Sequence, residues 1–125
     1  MKVLIIDDEP LIRRSLMRAF ESRGHQVFLA ENGLTGYEAW LRENPNLIFL
    51  DMLMPVLAGP EFLQKIGNSK NCPVILMSAF SGQYDHKKAQ EMGADQFMAK
   101  PFNDIFAVVE MAERLEQTEG KMSST

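Results

Sequence analysis

The feature that most constrains this chain is an alternation. Short apolar runs at residues 2–6, 26–30, 47–50, 74–77 and 95–98 take turns with longer segments of helical spacing. An unbroken apolar run reads as a strand covered on both faces, because a strand with one wet face alternates apolar and polar residues. Five runs, the last at 95–98 being the weakest, each followed by a helical segment, predict an α/β fold in three layers, with a parallel five-stranded sheet between two layers of helices. The 125 residues suit one such domain and leave no room for a second core.

The helical segments carry their own signals. Segment 9–23 sets Ile12, Leu16, Ala19 and Phe20 on one face, with Gly24 as its stop. Segment 33–43 sets Leu34, Tyr37 and Leu41 together, and Gly36 inside it costs about 1 kcal/mol relative to alanine. Segment 58–67 carries Pro60 in its first turn, where proline is tolerated, and turns Phe62, Leu63 and Ile66 inward. Segment 84–92 is mostly polar and is expected to be the most exposed. Segment 103–117 opens on Asn103 as its cap, with a stripe of Ile105, Val108, Val109, Ala112 and Leu115. Residues 118–125 are polar and small. They are expected to form a flexible tail or the stub of a linker, which places the domain at 1–117.

Composition removes several classes. Asp and Glu number 17 against 13 Lys and Arg, for a net charge of −4, whereas a dedicated nucleic-acid binder should be basic overall or on one face. Apolar runs such as Val3–Ile6 and Leu47–Leu50 are far shorter than the ~20 residues of a membrane helix. The N-terminal run stops at two aspartates and does not read as a signal peptide. The lone Cys72 excludes an internal disulfide and a cysteine metal cluster. A small, reduced, cytoplasmic protein is expected.

Polar groups gather where the strands end. The first run stops at Asp7-Asp8-Glu9, the third at Asp51 and the fourth at Ser78, and the fifth is followed by Lys100-Pro101. Taken singly each is weak, since such residues also cap helices and fill turns. In open α/β sheets, however, ligands bind beyond the carboxyl ends of the strands, where the strand order reverses. Asp7, Asp8 and Asp51 outweigh Lys100 by two negative charges, which one divalent cation would cancel. The donors are all oxygens, which favours Mg²⁺ or Mn²⁺ over Zn²⁺. Mg²⁺ with few protein ligands keeps positions for water and phosphate oxygens, so the expected substrate is a phosphoryl group. A carboxylate such as Asp51 can act as nucleophile and form an aspartyl phosphate.

Val3-Leu4-Ile5-Ile6-Asp7-Asp8-Glu9-Pro10, Asp51-Met52-Leu53-Met54-Pro55 with Gly59, Ser78-Ala79, Gly93-Ala94-Asp95 and Lys100-Pro101-Phe102 together resemble the receiver domain of bacterial two-component response regulators. The resemblance runs from residue 2 to about 117 and is closest in kind to single-domain, chemotaxis-type receivers. It implies a flavodoxin-like (βα)5 fold with strand order 2-1-3-4-5. It implies Asp51 as phosphoacceptor, Asp8 as direct Mg²⁺ ligand, Asp7 as a ligand through water, and the Leu53 backbone carbonyl as a further ligand. Lys100 would pair with the phosphoryl group. Ser78 would hydrogen-bond it and move on activation, with small Ala79 leaving the oxygen accessible. Phe97 stands at the position of the switch aromatic, and Lys100-Pro101 at that of a cis peptide bond. Ala58, Pro60 and Gly36 depart from the family pattern, and Phe97 lacks the hydroxyl common at its position. Leu53 and Phe80 are bulky and apolar at the mouth of the site, where they would exclude attacking water and slow dephosphorylation.

The resemblance also implies partners. The donor would be a phosphohistidine on a histidine kinase or a histidine phosphotransfer protein. The target would be an unknown downstream protein, with no direct role for nucleic acid or membrane. Receivers often pair into homodimers through the fourth helix, fifth strand and fifth helix. Arg13, Arg14, Arg18 and Arg23 make the first helix basic, as a docking face for the donor or a solvated face balanced by Glu21. Glu110, Glu113, Glu116 and Glu119 make the last helix acidic.

Two other readings compete. A Mg²⁺-dependent phosphatase or phosphotransferase could use Asp51 transiently, but Met52-Leu53-Met54 replaces the usual Asp-x-Asp-x-Thr or Val signature. A degenerate receiver acting only as a docking scaffold is disfavoured by the intact Asp8, Asp51, Ser78 and Lys100. A flavin or nucleotide binder would need a glycine-rich loop after the first strand, where Asp7-Asp8-Glu9-Pro10 would repel phosphate.

Overall fold

Each apolar run forms a strand. The computed structural model describes residues 1–79 and 86–123, with side chains to residue 118. Strands β1 (Lys2–Ile6), β2 (Gln26–Ala30), β3 (Leu47–Asp51), β4 (Val74–Ser78) and β5 (Gln96–Ala99) pair in parallel, in the order β2-β1-β3-β4-β5. Helices α1 (Pro10–Glu21), α2 (Gly33–Glu43), α3 (Gly59–Ile66), α4 (His86–Glu91) and α5 (Ile105–Ser123) alternate with them. This is the flavodoxin-like (βα)5 topology that the resemblance implied.

Successive side chains on a strand point to opposite faces, so the core is split in two. Leu4, Ile6, Ile48, Leu50, Val74 and Leu76 meet Trp40 of α2, Phe62, Leu63 and Ile66 of α3, and Ala89 of α4. Val3, Ile5, Leu47, Phe49, Ile75 and Met77 meet Leu16, Ala19 and Phe20 of α1 and Val108, Val109 and Ala112 of α5. Residues of β3 and β4 are buried on both faces, which is why they carry no polar residue before Asp51 and Ser78. Strand β2 lies at the edge, and its Leu29 is left exposed.

Three local expectations are corrected. First, the inward face of α2 is not the leucine face. Leu34 and Leu41 are exposed, and Gly33, Gly36, Ala39 and Trp40 are buried. Helix α2 lies so near β1 that a Cβ on Gly36 would fall 2.6 Å from Ile6 Cδ1. Only small residues fit that line of contact, and leucines are turned away from it. Second, Asp104, not Asn103, caps α5. Its Oδ1 accepts from the backbone N–H of Phe106 (3.1 Å) and Ala107 (3.3 Å). Third, α1 ends at Glu21, so Arg23 lies beyond it. The helical backbone of α5 continues past residue 117, through Ser123.

Gly36 therefore does more than lower the propensity of α2. In an open helix Gly36→Ala would stabilise by about 1 kcal/mol. Here the new methyl meets the fully buried Ile6, so the variant is expected to be less stable, by on the order of 1–3 kcal/mol in urea unfolding.

Candidate functional site

The register of the sheet assembles the site. Ile6 pairs with Leu50, so the residue after β1 and the last residue of β3, Asp7 and Asp51, stand side by side. They flank the point where the strand order reverses, between β1 and β3. Both are buried, while Asp8 is exposed. One oxygen from each of Asp7, Asp8 and Asp51 lies within 4.8 Å of the others.

Lys100 enters from the far side. Its backbone N–H donates to the Ser78 carbonyl (2.8 Å), which carries the β4–β5 pairing one residue beyond the strand. Its Nζ lies 3.0 Å from Asp7 Oδ2 and 3.3 Å from Asp51 Oδ1. The Lys100–Pro101 peptide bond is cis, and Pro101 is exposed beside it. Ser78 is buried at the end of β4. Ala79 is exposed next to it, and Leu53 is 52% exposed. Asp8, Glu9, Asp51, Leu53, Ser78, Ala79 and Lys100 line one open cavity of about 310 Å³. Phe80 lies outside the described residues. Phe97 pairs with Leu76 and packs, half-buried, against the core under α2, α3 and α4.

The loop after β3 has little freedom. A Cβ on Gly59 would lie 2.7 Å from the Asp51 carbonyl oxygen, so glycine is required for the chain to close over Asp51. Val56 and Leu57 adopt positive φ, a costly conformation for such side chains. The Val56 carbonyl accepts from Gly33 N–H (3.1 Å) at the start of α2, where no side chain fits against Leu57.

Two residues, Glu9 and Arg13, make contacts at the site that their sequence pattern did not assign to them. Glu9 Oε1 lies 2.9 Å from Lys100 Nζ, a third carboxylate on that ammonium. Arg13 donates from a guanidinium N–H to the Asp7 carbonyl (2.6 Å). Glu9 had a signal: glutamate is a poor N-cap, and at the N-cap of α1 its side chain makes no capping bond. Arg13 had none beyond its place one turn into the helix. The basic cluster is thereby thinned, since Arg13 serves the site loop and Arg23 pairs with Glu113 of α5 at 2.8 Å. Arg14 and Arg18 remain exposed on α1.

Charge at the site is incompletely balanced. Burial, then the neighbouring Asp7 carboxylate, push the Asp51 carboxyl up to about 7, against the pull of Lys100. Burial also raises Asp7, although the Glu9 N–H and Lys100 hold its two oxygens. Burial alone would lower the Lys100 ammonium, but hydrogen bonds to Glu9 and Asp7 outweigh it and raise it. Three carboxylates with oxygen-only donors and unspent negative charge suit a hard divalent cation. The cluster can coordinate one.

A flavodoxin-like sheet with an acidic, cation-competent cluster and a lysine at its switch point is the architecture of an aspartyl-phosphate switch. Residues 3–113 match the response regulator receiver domain, and the chain belongs to that family. Such a domain is a phosphoacceptor with an acidic site poised for Mg²⁺-dependent phosphorylation, rather than a turnover enzyme. The chain is 37% identical over 102 residues to the probable transcriptional regulator ycf27 of Porphyridium aerugineum, covering 82% of this chain and 42% of that protein. It is 35% identical over 106 residues to protein PilG of Pseudomonas aeruginosa, covering 82% and 78%. The receiver domain of Francisella response regulator 1452 superposes with a TM-score of 0.85 at 27% identity, over 94% of this chain and 97% of that one. The chain spans about half the length of the ycf27 relatives it matches. Among the described residues no helix is long and apolar enough to cross a membrane.

The raised Asp51 carboxyl makes stability pH-dependent. The folded state binds that proton more tightly than the unfolded chain, so the contribution is unfavourable when the group ionises. It is absent below about pH 4, grows as pH rises towards 7 and is complete above it. Asp51→Asn is therefore expected to stabilise the metal-free protein at pH 8, by on the order of 2 kcal/mol, and to do so much less at pH 4.5. Urea unfolding in chelator at the two pH values checks this.

Proposed function

We propose that the chain is a phosphorylation-activated signalling switch that takes a phosphoryl group from a phosphohistidine onto Asp51. The observation that supports it most directly is the placement of the Asp51 carboxylate, inside an acidic cluster and 3.3 Å from Lys100. An Asp51 oxygen bonds to phosphorus as the donor P–N bond breaks, and the imidazole leaves with the electron pair. Asp8, Asp51 and the Leu53 backbone carbonyl would hold Mg²⁺ or Mn²⁺, with Asp7 acting through water. The bound ion supplies charge neutralisation at the phosphoryl oxygens.

The remaining roles belong to the chain itself. Lys100 offers its ammonium to the phosphoryl group, and Ser78 its hydroxyl. Exposed Ala79 leaves room for the Ser78 approach. Phe97 turns inward as Ser78 moves, and the face formed by α4, β5 and α5 changes for a downstream protein or a second copy. The donor is a histidine kinase or a histidine phosphotransfer protein in the cytoplasm. Arg14 and Arg18, exposed on α1 near the site edge, form its docking face. Leu53 at the mouth, with Phe80 expected beside it, excludes attacking water and prolongs the phosphorylated state.

Acetyl phosphate with Mg²⁺ tests the reading. The chain is expected to gain one phosphoryl group, detected by intact mass, and Asp51→Asn to fall to background. Absence of phosphorylation in the parent overturns the phosphoacceptor reading, and release of many equivalents of phosphate per chain favours an enzyme. In the same assay Leu53→Asn is expected to shorten the lifetime of phospho-Asp51. An unchanged decay rate removes Leu53 from that role.

A further inference from the structure

Lys100 is closely surrounded by carboxylates. Its ammonium carries three N–H donors, and three carboxylates surround it: Glu9 at 2.9 Å, Asp7 at 3.0 Å and Asp51 at 3.3 Å. Two of those donors are hydrogen-bonded, to Asp7 and Glu9, and Asp51 is held by the longer ion pair alone, so a phosphoryl group arriving on Asp51 competes with these partners for the ammonium. The three candidates differ in what release costs. Asp7 is fully buried, and its other oxygen is occupied by the Glu9 N–H, so parting from Lys100 would strand a buried charge. Asp51 is the reacting group itself. The Glu9 side chain is 56% exposed, and water can replace the ammonium at little cost.

The local geometry allows Glu9 to let go without disturbing the loop. Its backbone N–H is anchored to Asp7 Oδ1 at 2.8 Å, and its side chain plays no part in capping α1. Only the side chain has to swing, and it lines the same cavity that the phosphoryl donor must enter.

We propose that Glu9 is the exchangeable partner of Lys100, holding the ammonium in the resting site and surrendering it to the phosphoryl group, so that Glu9 sets how readily Asp51 is phosphorylated. This rests on the reading of Asp51 as phosphoacceptor. In the transfer an Asp51 oxygen bonds to phosphorus and the donor's bond to phosphorus breaks, with the leaving group keeping the electron pair. Glu9 takes no part in those bonds and acts as a positioning residue through Lys100.

The test compares the parent, Glu9→Gln and Glu9→Asp under saturating Mg²⁺, with acetyl phosphate and phosphoramidate as donors of different charge. Aspartate keeps the charge but is too short for the contact, so it separates contact from charge. Both variants are expected to phosphorylate faster than the parent by about two- to fivefold, the factor an exposed ion pair is worth, with either donor. Both are also expected to bind beryllofluoride more tightly by a similar factor, an equilibrium readout with no transfer step. Unchanged or slower phosphorylation in Glu9→Gln overturns the proposal. So does acceleration in Glu9→Gln alone, or with acetyl phosphate alone and lost in high salt, because either would make Glu9 only a negative charge at the mouth. If the parent is not phosphorylated at all, the phosphoacceptor reading fails first, and the two failures are thereby distinguished.

Discussion

Everything at the site hangs on one register. Ile6 pairs with Leu50 across β1 and β3, and each strand then delivers an aspartate at its end. A parallel sheet points the carboxyl ends of all its strands the same way, so Ser78 and Lys100 arrive at the same edge from β4 and β5. Slipping β1 by one residue would reverse which side chains enter each half of the core. It would also separate the two carboxylates. The packing that holds the register, Ile6 and Leu50 on one face and Ile5 and Phe49 on the other, is thus what holds the chemistry.

The fold was legible where burial left one choice. Between Lys2 and Asp7 in β1, and before Asp51 in β3 and Ser78 in β4, the runs carry no polar residue because both their faces are covered, and their extents in the sequence match the strands almost to the residue. The inward faces of α1, α3 and α5 followed from spacing for the same reason. In helix α2 Tyr37 does pack against the core, but Leu34 and Leu41 do not. Leucine periodicity assumes that large residues face inward. That assumption fails where the helix backbone lies against β1 and a side chain on Gly36 would meet Ile6. Asn103 and Asp104 are both good caps, and only the path of the loop decides between them.

The site was legible as a set of strand ends, less so as a network. The placement of Asp7, Asp8, Asp51, Ser78 and Lys100 at one edge follows from topology. Glu9 and Arg13 act through the length of their side chains, reaching Lys100 and the Asp7 carbonyl across gaps that spacing along the chain does not encode. Their contacts alter the meaning of neighbouring residues. An arginine that appeared to belong to a surface patch instead braces the acidic loop, and a glutamate at a helix start turns away from that helix.

The buried carboxylates have one more consequence. A cluster that burial and mutual repulsion oppose is relieved by whatever cancels its charge, and such a ligand favours the folded chain over the unfolded one. Were the cluster to take up a divalent cation, occupancy and folding would be linked, and the midpoint of thermal unfolding would rise with the logarithm of free cation concentration. The protein's resistance to heat would then be a gauge of the ions around it, readable without a label, and a switch of this kind would be sturdiest when it is ready to be thrown.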